Sequence, residues 1–180
     1  MKNGREKAMA CSGINLIKNG GFTTGLKGWQ GKHIYLVPNP LRASDQAVLM
    51  GYNSVRSYIR QKVRVRKKLE SQCNYYLYFR LFNISNKSEP ALLYATVAYW
   101  SPDNRPLRAT PLILKPPKTT SWFQYFSIIP APPPQPVKIV TVHFTLVRGT
   151  LFLDYLRLAS HPILSVNQVV EEKLFSVAEG

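Results

Sequence analysis

Four cations alternate along one stretch of the chain: Arg60, Lys62, Arg64 and Arg66. Side chains two residues apart share one face of an extended strand. A strand over 58–66 would therefore carry a ladder of positive charge on one side and Ile59, Gln61, Val63 and Val65 on the other. The same period of two divides 74–82 into a core set, Tyr75, Leu77, Phe79 and Leu81, and an outer set, Tyr76, Tyr78, Arg80 and Phe82. It divides 92–100 into Leu93, Ala95, Val97 and Tyr99 against Tyr94, Thr96, Ala98 and Trp100. Aromatic rings stack on the apolar faces of sugar rings, and an arginine fork donates to hydroxyls and carboxylates. The same residue types suit a single-stranded nucleic acid, whose bases stack while its phosphates meet cations. Tyr76, Tyr78, Arg80, Tyr94 and Trp100 are thus the candidate ligand-binding residues, with Arg60, Lys62, Arg64 and Arg66 as a basic patch beside them. If the three strands are neighbours in a meander, all nine residues share one solvent-facing surface. If consecutive strands fall in opposite sheets, the patch is split in two.

Catalytic chemistry is not legible. Glycoside hydrolysis usually needs two carboxyl groups facing one cleft, and residues 13–160 hold only Asp45, Glu70, Glu89, Asp103 and Asp154, none of them paired in spacing. His33, His143 and His161 make no metal-binding spacing. His143, between Val142 and Phe144 in a strand, reads as a surface or packed histidine. The glycines of Asn19-Gly20-Gly21 do not lead into a helix, so no phosphate-cradling loop is present. The expectation is a protein that is not an enzyme and has no catalytic residues.

The elements that must position these residues are strands. Short runs rich in Tyr, Val, Phe, Ile and Thr are punctuated by Pro, Gly, Asn and Ser, and the chain of 180 residues contains 14 prolines, poor company for helices. Strands are predicted at 13–17, 33–36, 46–50, 58–66, 74–82, 92–100, 107–114, 122–129, 138–146 and 150–159. The proline cluster over 130–136 reads as a stiff connection rather than a recognition motif. Only 166–175 shows helical spacing. Regularly spaced short strands mean an all-β antiparallel two-sheet sandwich or a barrel, here a domain over 13–160 with tails at 1–12 and 161–180.

Lys and Arg number 24 against nine Asp and Glu, a net charge of +15. Residues 13–160 alone hold 20 basic and five acidic side chains. A field of that sign favours an anionic partner. No apolar run approaches the length of a membrane span, and the apolar stretch before Cys11 is too short for a signal peptide, so the compartment is left open. One bridge between Cys11 and Cys73 is open to the chain, but two separate thiols is the favoured reading, because Cys11 precedes the expected domain.

The beginning and end of the domain resemble a known family. Asn15-Leu16-Ile17-Lys18-Asn19-Gly20-Gly21-Phe22, followed by Gly28-Trp29, resembles the opening signature of jelly-roll carbohydrate-binding modules of the galactose-binding-like superfamily. Phe152-Leu153-Asp154-Tyr155-Leu156-Arg157-Leu158 resembles their closing strand. The resemblance spans residues 14–159 and implies a jelly-roll sandwich of two antiparallel sheets that binds sugars on a sheet face or at loop tips. It also implies that Asn19-Gly20-Gly21 turns where a side chain would clash, with Phe22 and Trp29 pinning the loop. Many members hold a structural calcium through a glutamate after the phenylalanine and paired aspartates in the closing strand. Here those positions are Thr23 and Tyr155, and Asp154 alone remains as a weak metal candidate. Calcium needs several oxygen ligands, so no cofactor is expected.

The reading that follows is a non-catalytic module for a glycan, an anionic one favoured by the basic ladder. Two alternatives stand beside it. One is a structural protein that assembles on a cell, spore or particle surface through protein contacts. The other is a nucleic-acid binder, which charge alone supports.

Overall fold

The computed structural model describes residues 11–162; the helical spacing at 166–175 lies outside them. Ten strands follow one another: β1 (Gln30–Lys32), β2 (Ile34–Asn39), β3 (Arg42–Met50), β4 (Ser57–Arg64), β5 (Cys73–Asn83), β6 (Leu92–Trp100), β7 (Pro106–Leu114), β8 (Phe123–Ile129), β9 (Ile139–Arg148) and β10 (Leu151–Pro162). They form two five-stranded antiparallel sheets, ordered β1-β4-β9-β6-β7 and β2-β3-β10-β5-β8. The all-β two-sheet sandwich expected from the strand pattern is what the chain forms.

Alternation decides what each strand buries. Ile59 and Val63 of β4, Leu77, Phe79 and Leu81 of β5, Leu93 and Val97 of β6, Val142 and Phe144 of β9, and Leu153 and Leu158 of β10 meet between the sheets. The Phe79 ring lies edge-on to that of Phe144, 5.1 Å away, joining one sheet to the other. Gln61 is the polar exception in the β4 core set. Its amide donates to the Lys18 carbonyl and accepts from the Lys18 N–H, both at 2.8 Å, and so ties the opening loop to β4.

The opening loop behaves as its residues imply. The Gly20 carbonyl accepts from the Leu156 N–H at 2.9 Å, and a Cβ at Gly20 would collide with the Leu156 carbonyl. The Asn19 side chain bonds the Gly25 and Lys27 carbonyls and the Thr24 N–H. Phe22 and Trp29 are buried with ring centroids 5.7 Å apart, and the Trp29 indole N–H donates to the Asn19 carbonyl.

Three expectations change. The segment at 13–17 pairs with the closing strand through a single bridge, Asn15 with Ala159, rather than as a strand; its neighbouring contact is Leu16 N–H to the Leu158 carbonyl, 2.8 Å. The short β1 had no alternation to reveal it. Cys11 and Cys73 are joined in a disulfide, not two free thiols. Residues just before the expected domain pack on it: Ser12 N–H donates to Glu70 at 2.8 Å and Gly13 N–H to Ser160 Oγ at 3.1 Å, which brings Cys11 to the start of β5.

Candidate ligand-binding face

Eight of the nine residues singled out from the sequence lie on strands and point out of the core as alternation requires, but not to one side. β5 lies in one sheet, while β4 and β6 lie in the other. Tyr76, Tyr78 and Arg80 therefore cover one outer face, and Tyr94 and Trp100 cover the opposite one with Arg60, Lys62 and Arg64. The single shared surface is corrected to two, because consecutive strands cross between sheets. Arg66 also leaves the ladder. β4 ends at Arg64, and Arg66 sits in the following turn with Lys67 and Lys68, facing the proline segment 132–136.

On the β1-β4-β9-β6-β7 sheet, β9 separates the basic ladder from the aromatic strand. Register places residues in rows across the sheet. Arg64, Ile139 and Trp100 form one row; Lys62, Thr141 and Ala98 the next; Arg60, His143 and Thr96 the third; Tyr58, Thr145 and Tyr94 the last. Ala98 faces Ala109 on β7, so the second row is flanked by small side chains. There the face hollows into a cavity of about 390 Å³, lined by Arg60, Lys62, Trp100, Asn104, Ile139, Thr141 and His143. That volume lies within the ordinary range of small-molecule sites.

Each wall is held in place. The Trp100 indole N–H donates to Thr141 Oγ1 at 3.0 Å, which fixes the ring against the sheet while leaving it partly exposed. Tyr58 meets the His143 ring edge-on with centroids 5.6 Å apart, and His143 Nε2 lies 3.2 Å from Thr145 Oγ1. Burial, and then the charge of Arg60, lower the His143 pKa below the usual imidazole value. The Nε of Arg60 is buried and has no hydrogen-bond partner among the described residues. The sequence reading passed over His143, Thr141, Ile139 and Asn104. The alternation Ile139, Thr141, His143, Thr145 was a legible signal for three of them; Asn104 comes from the turn between β6 and β7 and had none.

The opposite face is built differently. Tyr76 stacks on Tyr78 (6.0 Å) and on Phe126 (6.3 Å), and the His161 ring lies 4.6 Å from Tyr76. Phe126 and Ile128 project from it, 60% and 49% exposed. Arg80 makes an internal clamp rather than a free donor. Its guanidinium pairs with Asp154 at 3.5 Å and lies 4.4 Å over the Tyr155 ring. A bulge in β10 between Asp154 and Arg157 produces this, turning Tyr155 out at a φ of 53°. Burial raises the Asp154 pKa more than the Tyr155 amide and Arg80 lower it.

Asp154 lines a second cavity, of about 470 Å³, with Asp45, Thr23 and the Gly20-Gly21 turn. These residues do not fit a calcium site. Calcium takes six to eight oxygens, carboxylates among them. Here Asp154 is paired with Arg80, Asp45 with Arg42, and Thr23 contributes no charge.

No family model matches the chain, and no curated protein matches its sequence. Solved structures do match its fold. A family 61 carbohydrate-binding module in complex with β-1,4-galactotriose aligns over 82% of this chain and 99% of its own, with a TM-score of 0.57 at 14% identity. A second family 16 carbohydrate-binding module aligns over 81% and 99%, with a TM-score of 0.54 at 20% identity. The active domain of a tailspike protein of bacteriophage CBA120 reaches a TM-score of 0.59 at 14% identity over 82% of this chain, which spans only 21% of that one. The fold is the jelly-roll β-sandwich of carbohydrate-binding modules.

Proposed function

We propose that the chain is a non-catalytic glycan-binding module, and that the ligand lies on the β4-β9-β6 face with a sugar ring against Trp100. The observation that carries this reading is the cavity beside Trp100: a ring held at its indole N–H, open on one side, and ringed by the hydrogen-bonding groups of Asn104, Thr141, His143 and Arg60. The jelly-roll likeness supports it, since the neighbours that are matched over nearly their whole length are themselves described as carbohydrate-binding modules. Tyr94 extends the face at its far end. Tyr76 and Tyr78 belong to the other sheet and are not part of this site, and Arg80 acts as a structural clamp. No metal is required, because Arg80 supplies positive charge to Asp154. A disulfide between Cys11 and Cys73 fits an oxidising compartment or a cell surface.

A glycan array run beside retention tests on heparin and single-stranded DNA at two salt concentrations tests the proposal. Retention of one or more glycans, abolished by Trp100→Ala in a folded variant, supports it. Retention on DNA alone overturns it.

A second reading rests on the opposite face. The exposed Phe126 and Ile128, beside Tyr76 and Tyr78, form an apolar aromatic patch of the kind that protein partners cover. Assembly through this patch would leave the Trp100 cavity free. Concentration-dependent association that disappears in Phe126→Ser separates this reading from glycan binding.

A further inference from the structure

We propose that the ligand is an acidic glycan, whose rings bear carboxylate or sulfate groups, and that one such group docks on Arg60 and Lys62 while a neighbouring ring packs on Trp100. This rests on the glycan-binding reading of the same cavity and adds the chemical class of the sugar.

Charge is segregated between the two sheets. The five strands that carry the cavity hold Lys32, Arg60, Lys62, Arg64, Arg108 and Arg148, and no Asp or Glu. The strands of the opposite sheet hold Arg42, Arg80 and Arg157 against Asp45 and Asp154. Two ion pairs, Arg42 with Asp45 and Arg80 with Asp154, neutralise most of that second sheet. The uncompensated charge of the sandwich strands is therefore on the cavity side. In the turn bordering the cavity, Asp103 is occupied by Arg105 at 2.9 Å and by the Ser101 hydroxyl.

Two of these cations line the cavity itself. Arg60 and Lys62 are one strand period apart on β4, facing His143 and Thr141 across β9. Arg60 Nε has no hydrogen-bond partner among the described residues, as Arg80 Nε has none on the other sheet. The planar guanidinium matches the two oxygens of a carboxylate or sulfate. A neutral polysaccharide needs hydroxyl-binding groups but gains little from a concentrated positive field. An acidic one gains attraction to Arg60 and Lys62 and a planar partner for the Arg60 guanidinium.

A single-stranded nucleic acid would use the same charge, but it needs successive stacking platforms along a groove. Trp100 and Tyr94 are six residues apart on β6, about 20 Å along the strand. Between them lie Ala98 and Thr96. One platform beside one anion pocket suits a substituted sugar.

The test compares matched ligands on the full chain: polygalacturonate with its methyl ester, heparin with its desulfated form, neutral galactan and xylan, and oligodeoxythymidine. Dissociation constants are measured at low and moderate salt. At least tenfold tighter binding of an acidic member than of its neutral counterpart is expected, and the preferred pair identifies carboxylate or sulfate as the anion. Arg60→Gln and Lys62→Gln, each checked by thermal unfolding, should cut that preference below threefold and flatten its salt dependence. Lys62 is exposed, so its variant remains informative if Arg60→Gln fails to fold. Equal affinity for acidic and neutral members, or an undiminished preference in Lys62→Gln, overturns the acidic class and leaves the glycan reading standing. Binding to oligodeoxythymidine alone, or to none of the ligands, overturns both.

Discussion

Trp100 and His143 illustrate what single side chains contribute to this face. Trp100 is partly exposed on the outer side of β6, and its indole N–H is held by the hydrogen bond to Thr141. Trp100→Ala is expected to abolish glycan binding while lowering stability by only about 1–2 kcal/mol, the scale of one hydrogen bond and some lost packing. Affinity electrophoresis paired with chemical denaturation checks both halves; unfolding of the variant would make the ring part of the core. His143 is held below its usual pKa by burial and by Arg60. Between its folded pKa and the ordinary value of 6.5 the unfolded chain binds the extra proton. The stability this residue contributes is therefore complete above that window and is lost as pH falls through it. Denaturation midpoints below pH 6.5 should decline less steeply in His143→Gln than in the parent chain, and parallel curves would remove this account.

At the scale of elements, β10 joins the opening loop to the opposite face. Its bulge places Asp154, 6% exposed at its side chain, beneath Arg80 and sets Leu156 against Gly20. Arg80→Ala would leave a carboxyl group buried without its partner. The expected loss is about 2 kcal/mol, accompanied by a further rise in the Asp154 pKa, measurable by urea denaturation across acidic pH. A chelator should leave the melting temperature of the parent chain unchanged, since Asp154 is paired with Arg80 and Asp45 with Arg42. A drop of several degrees on chelation would show that a metal is bound after all. Gly20→Ala is expected to destabilise far more than Gly21→Ala, because only at Gly20 would a Cβ meet backbone.

For the whole molecule, the disulfide closes a loop of 62 residues across the start of β5. Constraining a loop of that length in the unfolded state stabilises by about 4 kcal/mol in the chain-entropy account. For a chain of this size that corresponds to roughly 10 °C in Tm. Reduction, or the paired change of Cys11 and Cys73 to serine, should lower the melting temperature by about this amount without altering far-UV circular dichroism. An unchanged Tm would show that the cross-link is absent in solution.

Sequence alone determined which residues face the core. A period of two in β4, β5, β6 and β9 is a property of the local backbone, and Ile59, Leu77, Val97 and Val142 went inward as alternation dictated. The resemblance carried by Asn19-Gly20-Gly21, Phe22 and Trp29 also indicated the opening turn, although the backbone that excludes a Cβ at Gly20 is that of Leu156 on β10. Alternation says nothing about which strand lies beside which. Only the tertiary structure placed β9 between β4 and β6, sent β5 to the other sheet, and so moved Tyr76 and Tyr78 away from Trp100 while bringing His143 and Thr141 to it. The disulfide was hidden for the same reason. Cys11 and Cys73 are 62 residues apart, and their meeting depends on how the first residues run beside β10. Long-range pairing is fixed by the packing of two whole sheets, and no spacing within one strand encodes it.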